Sequence, residues 1–384
     1  MTAELGRSPA TPFAWLPPSL WALRRDAVFV GLVVVLALVS IAVPAEIPNY
    51  PKRIDWPTIA ALGGLLLLTR GIEASRALQW AGRGLVEHAR TERIAALGLV
   101  VAAALLAMVV TNDVALFIVV PLTLGMCRIA RLPAARLVIF EALAVNVGSA
   151  LTPIGNPQNI FVWQRSGVAF GRFVVAMLPL VAVLAVFLVA LTLRAFRDRR
   201  ITVHDDAPAA PIDAPLLVAS LALYAPFLIL ADRHLTGWGL AAVAIAFLAL
   251  RPHLVRDIDW GLLLVFVLMF VDLRTLADLA SVRHAIAGLG LEHPARLYAT
   301  GVVASQLVSN VSATIALAEY SHDWRVLAWA VNVGGFGLAI GSLANLIALR
   351  MLRERGAWRA FHAWSLPFLA LAAAAGWVML ALVR

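Results

Sequence analysis

The sequence contains few charged residues, one cysteine and no long polar stretch. Charged side chains make up 14% of the 384 residues and hydrophobic ones 62%, so the chain cannot cover a soluble domain with polar surface. The longest polar stretch, residues 194–213, is too short to fold alone. A single cysteine, Cys127, excludes an intramolecular disulfide framework and a thiolate metal cluster. The chain is therefore predicted to lie in a lipid bilayer as one membrane domain.

The excess of basic residues predicts topology. The net charge of +9 is spread over short segments between apolar runs, which argues against a nucleic-acid partner. With a cytoplasmic N-terminus, about two-thirds of the 31 lysines and arginines, Arg70 and Arg350 among them, fall on the cytoplasmic side, as the positive-inside rule requires. Residues 1–26 precede an apolar run without a small-residue cleavage site, so we expect an uncleaved signal anchor. These features predict a multi-pass protein of a bacterial inner membrane with a periplasmic C-terminus.

Apolar runs of spanning length recur along the chain. They predict an all-α polytopic membrane protein with about 9 to 11 transmembrane helices. We expect a cytoplasmic segment at 1–26, a first repeat at 27–193, a cytoplasmic linker at 194–213 and a second, inverted repeat at 214–384. Each repeat is predicted to contain one re-entrant hairpin and one broken transmembrane helix.

The run 94–128 is about twice the length of a membrane span, yet its centre is the polar tripeptide Thr111, Asn112 and Asp113. A re-entrant hairpin with this tripeptide at its tip accounts for both features and leaves the arginines on its two flanks on one side of the membrane. Two full spans joined by a tight outer turn are the alternative. The run 296–318 is predicted to form the second hairpin.

Two sequence elements occur twice in the same order. The segment AVNVGSALTPIGNPQN from Ala144 matches AVNVGGFGLAIGSLAN from Ala330 without a gap, at an offset of 186 residues. Upstream, the segments that begin at Thr111 and Ser309 match at an offset of 198. This order indicates an internal duplication, and an odd number of crossings between the copies makes the second half inverted. Inverted repeats typically bring broken helices and hairpin tips together near the bilayer midplane.

The repeated elements also contain residues that break helices. Proline obstructs the helix and glycine loosens it, at Pro153, Gly155 and Pro157 in the first copy and at four glycines in the second. Unwound backbone at membrane depth is tolerated only where protein or a ligand cavity covers it, so the breaks predict a binding site. Amide and hydroxyl side chains around the breaks suit small ions such as Na⁺. For a single hydroxyl, helix packing is the alternative role.

Acidic residues within the membrane are costly and usually functional. Asp113 at the first tip is predicted to bind a cation or to carry a coupling proton, and capping of the returning arm is the alternative. Glu141 lies in the arm before the first break, within the membrane or close to its inner interface. Asp272, Arg274 and Glu319 are expected at membrane edges.

Four motifs resemble the ion transporter superfamily: TNDVALFIVVPLTL from Thr111, GSALTPIGNPQNIF from Gly148, SQLVSNVSATIAL from Ser305 and IGSLANLIALR from Ile340. That superfamily includes divalent anion/sodium symporters, citrate-metal symporters, arsenite pump membrane subunits and sodium/proton antiporters. The closest likeness is to uncharacterised bacterial anion permeases and citrate transporter-like members, and it covers nearly the whole chain.

The resemblance implies that hairpin tips and facing helix breaks bind Na⁺ and the anion. Carried over, the substrate and ion site comprises Thr111, Asn112, Asp113, Gly148, Ser149, Thr152, Asn156, Asn159, Ser309, Asn310, Ser312, Thr314, Gly335, Gly337, Gly341, Ser342 and Asn345. Na⁺ is expected at Asn112, Ser149 and Asn156 and at Asn310, Ser342 and Asn345. The sequence departs from the symporter pattern at Asp113, where a hydroxyl residue is usual, and at Ser312, where proline is common.

The resulting expectation is a secondary transporter that moves a small anion, such as a di- or tricarboxylate or an inorganic oxyanion, by alternating access. Na⁺ or H⁺ is the expected coupling ion, with no cofactor, and a homodimer is the expected assembly. A sodium/proton antiporter or an arsenite exporter on the same scaffold is the alternative. An enzyme is not expected, because the sequence shows no paired nucleophile and base and no metal-binding motif within the apolar runs.

Overall fold

The structure, a computed structural model, is helical throughout the part of the chain that it describes. That part comprises residues 27–77, 80, 90–130, 132–201, 211–352, 354 and 356–382. The predicted N-terminal segment 1–26 and residues 202–210 of the predicted linker lie outside it. Within these ranges the only strand pairing is an isolated bridge between Thr91 and Arg200. The predicted all-α class is confirmed.

The helices fall into two series on either side of the linker. The first series is α1 (Ala27–Ala42), a 3-10 helix (Pro44–Asn49), α2 (Tyr50–Arg53), α3 (Trp56–Ala74), α4 (Glu92–Val109), α5 (Asn112–Ala130), α6 (Ala134–Ser149), α7 (Pro157–Ser166) and α8 (Phe170–Ala195). The second is α9 (Ala214–Asp232), α10 (Thr236–Leu250), α11 (Pro252–Arg256), α12 (Trp260–Asp278), α13 (Ala280–Ala287), α14 (Pro294–Val308), α15 (Asn310–Leu317), α16 (Trp324–Val333), a 3-10 helix (Ala339–Gly341), α17 (Leu343–Leu352) and α18 (Ala357–Leu382).

Four described helices are long and apolar enough to cross a bilayer singly, namely α4, α8, α9 and α18. A fifth candidate is the bent pair Phe29–Ala42 and Pro44–Arg53, whose axes meet at 117°. The other apolar helices are shorter or interrupted. These features confirm a polytopic helical membrane protein. The estimate of about 9 to 11 transmembrane helices also counted short and broken helices, and it stays a prediction.

Aspartate side chains fix where several helices begin. The carboxylates of Asp55, Asp213, Asp259 and Asp323 each accept a hydrogen bond from the backbone N–H three residues later, at 2.9–3.1 Å. A helix N-terminus leaves such N–H groups without intrahelical partners, and a carboxylate there also meets the positive end of the helix dipole. These caps fix the N-terminal ends of α3, α9, α12 and α16.

The first predicted hairpin is formed by α4 and α5, and its tip meets the break between α6 and α7. The Asn112 N–H donates to the Gly155 carbonyl at 2.8 Å, and the Thr152 hydroxyl donates to the Met108 carbonyl at 2.7 Å. At the bases of α4 and α6, Arg93 and Arg136 donate to the carbonyls of Phe196 and Ala195 at the C-terminal end of α8. The hairpin therefore starts where α6 starts and its tip lies at the level of the break, as a re-entrant hairpin requires, although the 18 residues of α4 are also long enough for the alternative of a full span.

The second hairpin, α14 and α15, meets the break between α16 and α17. The Gln306 amide donates to the carbonyls of Gly334 and Phe336 at 2.6 and 3.0 Å. At the base of this hairpin, the Ala318 carbonyl accepts a hydrogen bond from Arg165 at the end of α7. Since α6 begins at the base of the first hairpin and α7 ends at the base of the second, the hairpins open at opposite ends of the bundle. An inverted repeat predicts this arrangement.

Candidate functional site

A buried asparagine near the end of α6 connects the two halves of the chain. The Asn146 amide donates to the Asn345 side-chain oxygen at 2.8 Å, and the Ser342 hydroxyl donates to the Asn146 oxygen at 3.0 Å. All three side chains are at most 4% exposed. Asn146 belongs to the first half and its two partners belong to the second.

Asn332 near the end of α16 makes the reciprocal contacts. Its amide donates to the Asn159 oxygen at 2.7 Å, and its oxygen accepts from the Asn156 amide at 3.0 Å. The residues of the two contacts form three equivalent pairs, each separated by the repeat offset of 186 residues: Asn146 and Asn332, Asn156 and Ser342, and Asn159 and Asn345. We call these six residues the asparagine clasp: Asn146, Asn156, Asn159, Asn332, Ser342 and Asn345.

The asparagine clasp also satisfies the broken backbone. The Asn159 amide donates to the carbonyls of Ser149, Ala150 and Thr152, and the Asn345 amide donates to the Gly335 carbonyl at 2.9 Å. Buried backbone groups freed by a helix break destabilise a protein unless they are hydrogen-bonded. The same side chains therefore repair the breaks and hold the halves together.

Four helices begin at one cavity between the hairpin tips. The cavity has a volume of about 140 Å³, and the first residues of α5, α7, α15 and α17 line it: Asn112, Pro157, Asn310 and Leu343. A helix N-terminus acts like about half a positive charge, so the four together contribute roughly +2. An ionised Asp113 on the same cavity offsets about half of this. The net positive potential favours a small anion.

Three polar side chains on this cavity have no partner. Asp113, Gln158 and Asn310 line it and make no side-chain hydrogen bond within the described ranges. Asp113 is 7% exposed and its Oδ1 is fully buried. A buried polar atom without a partner costs about 1–3 kcal/mol, which a bound ligand removes. The opposite wall is apolar, with Phe266 and Met269 of α12 among its residues.

The predicted site residues separate into three groups. The cavity is lined by Asn112, Asp113, Ser309, Asn310, Ser312 and Ser342, and Thr111 lines the neighbouring larger cavity. Ser149, Asn156, Asn159 and Asn345 are held in the breaks by the hydrogen bonds described above, while Thr152 and Thr314 donate to backbone carbonyls. Gly148, Gly335, Gly337 and Gly341 allow close packing around the breaks, and Gly337 has a φ of +91°. In the first predicted Na⁺ set, Ser149 and Asn156 bond each other at 3.1 Å.

Four residues of this region were missed from the sequence: Asn146, Asn332, Gln158 and Gln306. The two asparagines occupy the same place in the identical AVNVG segments, so the repeat itself was a sufficient signal. Gln158 follows the first break directly. Gln306 has no equivalent in the first half and no sequence signal, because its role depends on where the second hairpin meets α16.

A larger cavity of about 560 Å³ adjoins the first and shares four lining residues with it, Asp113, Leu262, Val265 and Leu343. It extends to the C-terminal ends of α3 and α17 and the N-terminal end of α12. Its charged lining residues are Arg70, Glu73, Asp113, Asp257, Asp259 and Arg350. The sequence predicts that Arg70 and Arg350 lie on the cytoplasmic side. On that prediction, the larger cavity is an entrance from the cytoplasm.

Ion pairs close the opposite end of the bundle. Arg274 pairs with Asp55 at 3.2 Å and with Glu319 at 3.1 Å, and Glu319 also pairs with Arg165 at 2.9 Å. Nearby, Arg53 pairs with Glu46 at 2.7 Å and also with Asp278. We call these seven residues the ion-pair cluster: Glu46, Arg53, Asp55, Arg165, Arg274, Asp278 and Glu319. It joins the segment before α3, the end of α12 and the base of the second hairpin. Charged side chains therefore lie on both sides of the small cavity, in the lining of the larger cavity at one end of the bundle and in the ion-pair cluster at the other.

Comparison with known proteins connects this geometry to a family. The sequence profile of the citrate transporter family (CitMHS) matches residues 13–334. The chain is 43% identical over 366 residues to the inner membrane protein YbiR of Escherichia coli, and this alignment covers 95% of the chain and 98% of YbiR.

Similarity extends to more distant organisms. The uncharacterized transporter MJ0456 of Methanocaldococcus jannaschii is 28% identical over 329 residues, which cover 84% of this chain and 88% of that protein. The uncharacterized transporter Rv2684 of Mycobacterium tuberculosis is 28% identical over 351 residues, covering 80% of this chain and 81% of the relative.

Proposed function

The chain belongs to the citrate transporter family and is a membrane transporter rather than an enzyme, and we propose that it couples the movement of a small anion to Na⁺ or H⁺. The anion is a di- or tricarboxylate or an inorganic oxyanion, and it binds in the cavity between the hairpin tips. The proposed location is a bacterial inner membrane, as for the relative named an inner membrane protein. Terminal orientation and a homodimer stay predictions.

The convergence of four helix N-termini on one cavity carries this proposal. Among the described residues that line the small cavity there is no arginine, lysine or histidine. An anion there therefore depends on helix dipoles and on amide and hydroxyl donors from Asn112, Ser309 and Asn310. Such a site binds an anion without a permanent counter-charge, so release remains fast once the cavity is hydrated.

The two ends of the site support a mechanism of alternating access. The larger cavity gives the site an entrance at one end, while the ion-pair cluster closes the other. Inverted repeats allow the opposite arrangement to form when the hairpins exchange roles. Asp113 lies where both cavities meet and is the proposed place where the coupling cation is bound next to the anion. Its negative charge offsets part of the helix dipoles and makes anion binding sensitive to that cation.

The test is charge movement by the purified full-length chain in proteoliposomes on a solid-supported membrane. Succinate, citrate, sulfate, phosphate and arsenite are added in Na⁺ or K⁺ buffer and at several pH values. We expect one class of anion to give a current that depends on Na⁺ or on a pH gradient. Asn112→Ala and Asn310→Ala remove one donor from each tip and should reduce that current at least about tenfold, since each loses a charge-assisted hydrogen bond.

Asn49→Ala is the matched control, because Asn49 lies in the 3-10 helix and lines neither cavity. It should behave like the unchanged protein. Currents that are insensitive to both tip variants would contradict the proposed site. The absence of any anion-dependent current in the whole panel, with active controls in the same membranes, would contradict anion transport.

A second function, cation exchange as in a sodium/proton antiporter, is favoured by the larger cavity. Four carboxylates against two arginines line it, so the entrance is formally net negative. The same proteoliposomes decide between the two functions. Proton flux on adding Na⁺ without any anion, abolished by Asp113→Asn, would support the antiporter. An arsenite exporter requires a response to arsenite alone within the panel.

A further inference from the structure

Asp272 is a fully buried carboxyl that the anion site does not use. It is 0% exposed, and neither of its oxygens has a hydrogen-bond partner in the described part of the chain. It lies on α12 one turn beyond Met269, and the cavity-lining positions 262, 265 and 269 continue to 272 with helical spacing. The expectation that Asp272 lies at a membrane edge did not anticipate this complete burial.

Two other buried acids differ from Asp272 in their surroundings. Glu141 is also 0% exposed, but its Oε1 accepts a hydrogen bond from the Thr123 hydroxyl. Asp113 lines two cavities that offer space for water or a ligand beside its carboxyl group. Asp272 lines neither cavity and has no donor. Burying an isolated carboxylate costs several kcal/mol. A protonated carboxyl group carries no charge and avoids this desolvation cost.

The elements packed against α12 do not supply a compensating charge. Helices α1 and α15 contain no titratable side chain. The titratable residues on the other neighbours are Tyr50, Lys52 and Arg53 of α2, Arg70 and Glu73 of α3, Arg283 and His284 of α13, Arg165 of α7, whose Phe161 packs against Phe270, and Tyr320 after α15, whose hydroxyl donates to the Ala277 carbonyl. Arg53, Arg70 and Arg283 form ion pairs with other acids, and Arg274 on α12 itself pairs with Asp55 and Glu319. None of these groups is hydrogen-bonded or ion-paired to Asp272.

We propose that Asp272 is a proton-binding site of the transport cycle, protonated while the ion-pair cluster is closed and deprotonated when it opens. This rests on the proposed transport by alternating access. Arg274 and Asp278, which belong to the cluster, follow Asp272 on the same helix. Separating the cluster admits water from that end, the carboxylic O–H bond breaks, and the proton passes to water as the carboxylate becomes hydrated. Closing the cluster opens the larger cavity, and the carboxylate then takes up a proton from water on that side through the small cavity, whose lining residue Met269 lies one turn away; each cycle thus carries one proton across the membrane.

The first experiment measures proton movement per transported solute in proteoliposomes that contain a pH-sensitive dye. In Asp272→Asn we expect proton movement to fall at least about tenfold, because the amide resembles the protonated acid but cannot release a proton. Exchange of labelled for unlabelled solute should continue. Glu141→Gln is the matched control, since Glu141 is equally buried but hydrogen-bonded, and it should keep the normal proton movement. Normal proton movement in Asp272→Asn would overturn the proposal.

The second experiment does not depend on knowing the solute. Infrared spectra of the reconstituted chain at neutral pH should contain a carboxylic acid C=O band that Asp272→Asn removes and Glu141→Gln retains. If Asp272→Asn does not fold, Asp272→Glu should shift the band. Spectra without any band that depends on Asp272 would mean that the residue is ionised and would overturn the proposal, whether or not the chain transports anions.

Discussion

The two helix breaks use equivalent hydrogen bonds across the halves but different side chains within each half. In the first, a single side-chain hydrogen bond joins the hairpin to the break, from the Thr152 hydroxyl to the Met108 carbonyl. In the second, Gln306 alone makes three bonds, to the Gly334 and Phe336 carbonyls and from the Leu338 N–H. The contacts between halves thus share one pattern, whereas the contacts inside each half do not.

The tips differ as well. The first carries the acid Asp113, and no residue of Thr111, Asn112 or Asp113 has a positive φ. The second carries no charge, and its Ser309 has φ 76° and ψ 154°, a region that only glycine adopts readily. The symmetric part of the site fixes its geometry. The residues that differ between the halves give the first hairpin a charged tip and the second hairpin a strained tip.

The largest effects are expected in the asparagine clasp. Asn332→Ala and Asn146→Ala each remove two hydrogen bonds between the halves and leave buried amides unpaired, at about 1–3 kcal/mol for each group. Both variants should lower the melting temperature in detergent and abolish transport. Because the contacts are equivalent, the two decreases should be similar. A large decrease in only one variant would show that the Asn146 and Asn332 hydrogen bonds do not contribute equally to stability.

A smaller effect is expected at the hairpin contacts, and here the halves should differ. Gln306→Ala removes three hydrogen bonds and Thr152→Val removes one, at about 0.5–1.5 kcal/mol per bond. The melting temperature should therefore fall two to three times further for Gln306→Ala, roughly in proportion to the bonds lost. Equal shifts would contradict the asymmetry of the breaks. Gln164→Ala, on α7 and outside both hairpins, is a control for loss of a buried glutamine.

The smallest effect is expected at Ser309. Its hydroxyl caps α15 by accepting from the Ser312 N–H, so Ser309→Ala should lower stability by about 1 kcal/mol. Ser309→Gly loses the same cap but relieves about 1 kcal/mol or more of backbone strain, so it should leave stability nearly unchanged. Chemical denaturation in detergent measures both. If glycine destabilises more than alanine, Ser309 is not strained.

The sequence predicted the elements that depend on unusual residues at membrane depth. The tip residues Asn112 and Asn310 lie on the cavity because polar groups inside an apolar run must find partners or bind a ligand. The predicted runs 94–128 and 296–318 match hairpins whose arms span Glu92–Ala130 and Pro294–Leu317. Proline and glycine predicted the breaks through backbone chemistry that is independent of the fold.

Other features could not be predicted, because they depend on packing. Asp272 and Glu319 are similar acids in the sequence, yet one is buried without a partner and the other joins the ion-pair cluster. Periodicity places Asp272 on a helix but does not say which face of α12 meets its neighbours. Four helix N-termini at one cavity likewise result from how separate segments meet, which no local pattern contains.

The asparagine clasp has a consequence for biosynthesis. Asn156 and Asn159 leave the ribosome well before their partner Asn332, so the first half enters the membrane with amides that have no partner from the second. Their hydrogen bonds to Asn332 can form only after α16 has been made. The two halves should therefore assemble when made as separate polypeptides cut between residues 201 and 211, and each alone should be degraded. The asparagine clasp therefore affects the order in which the two halves assemble, as well as transport.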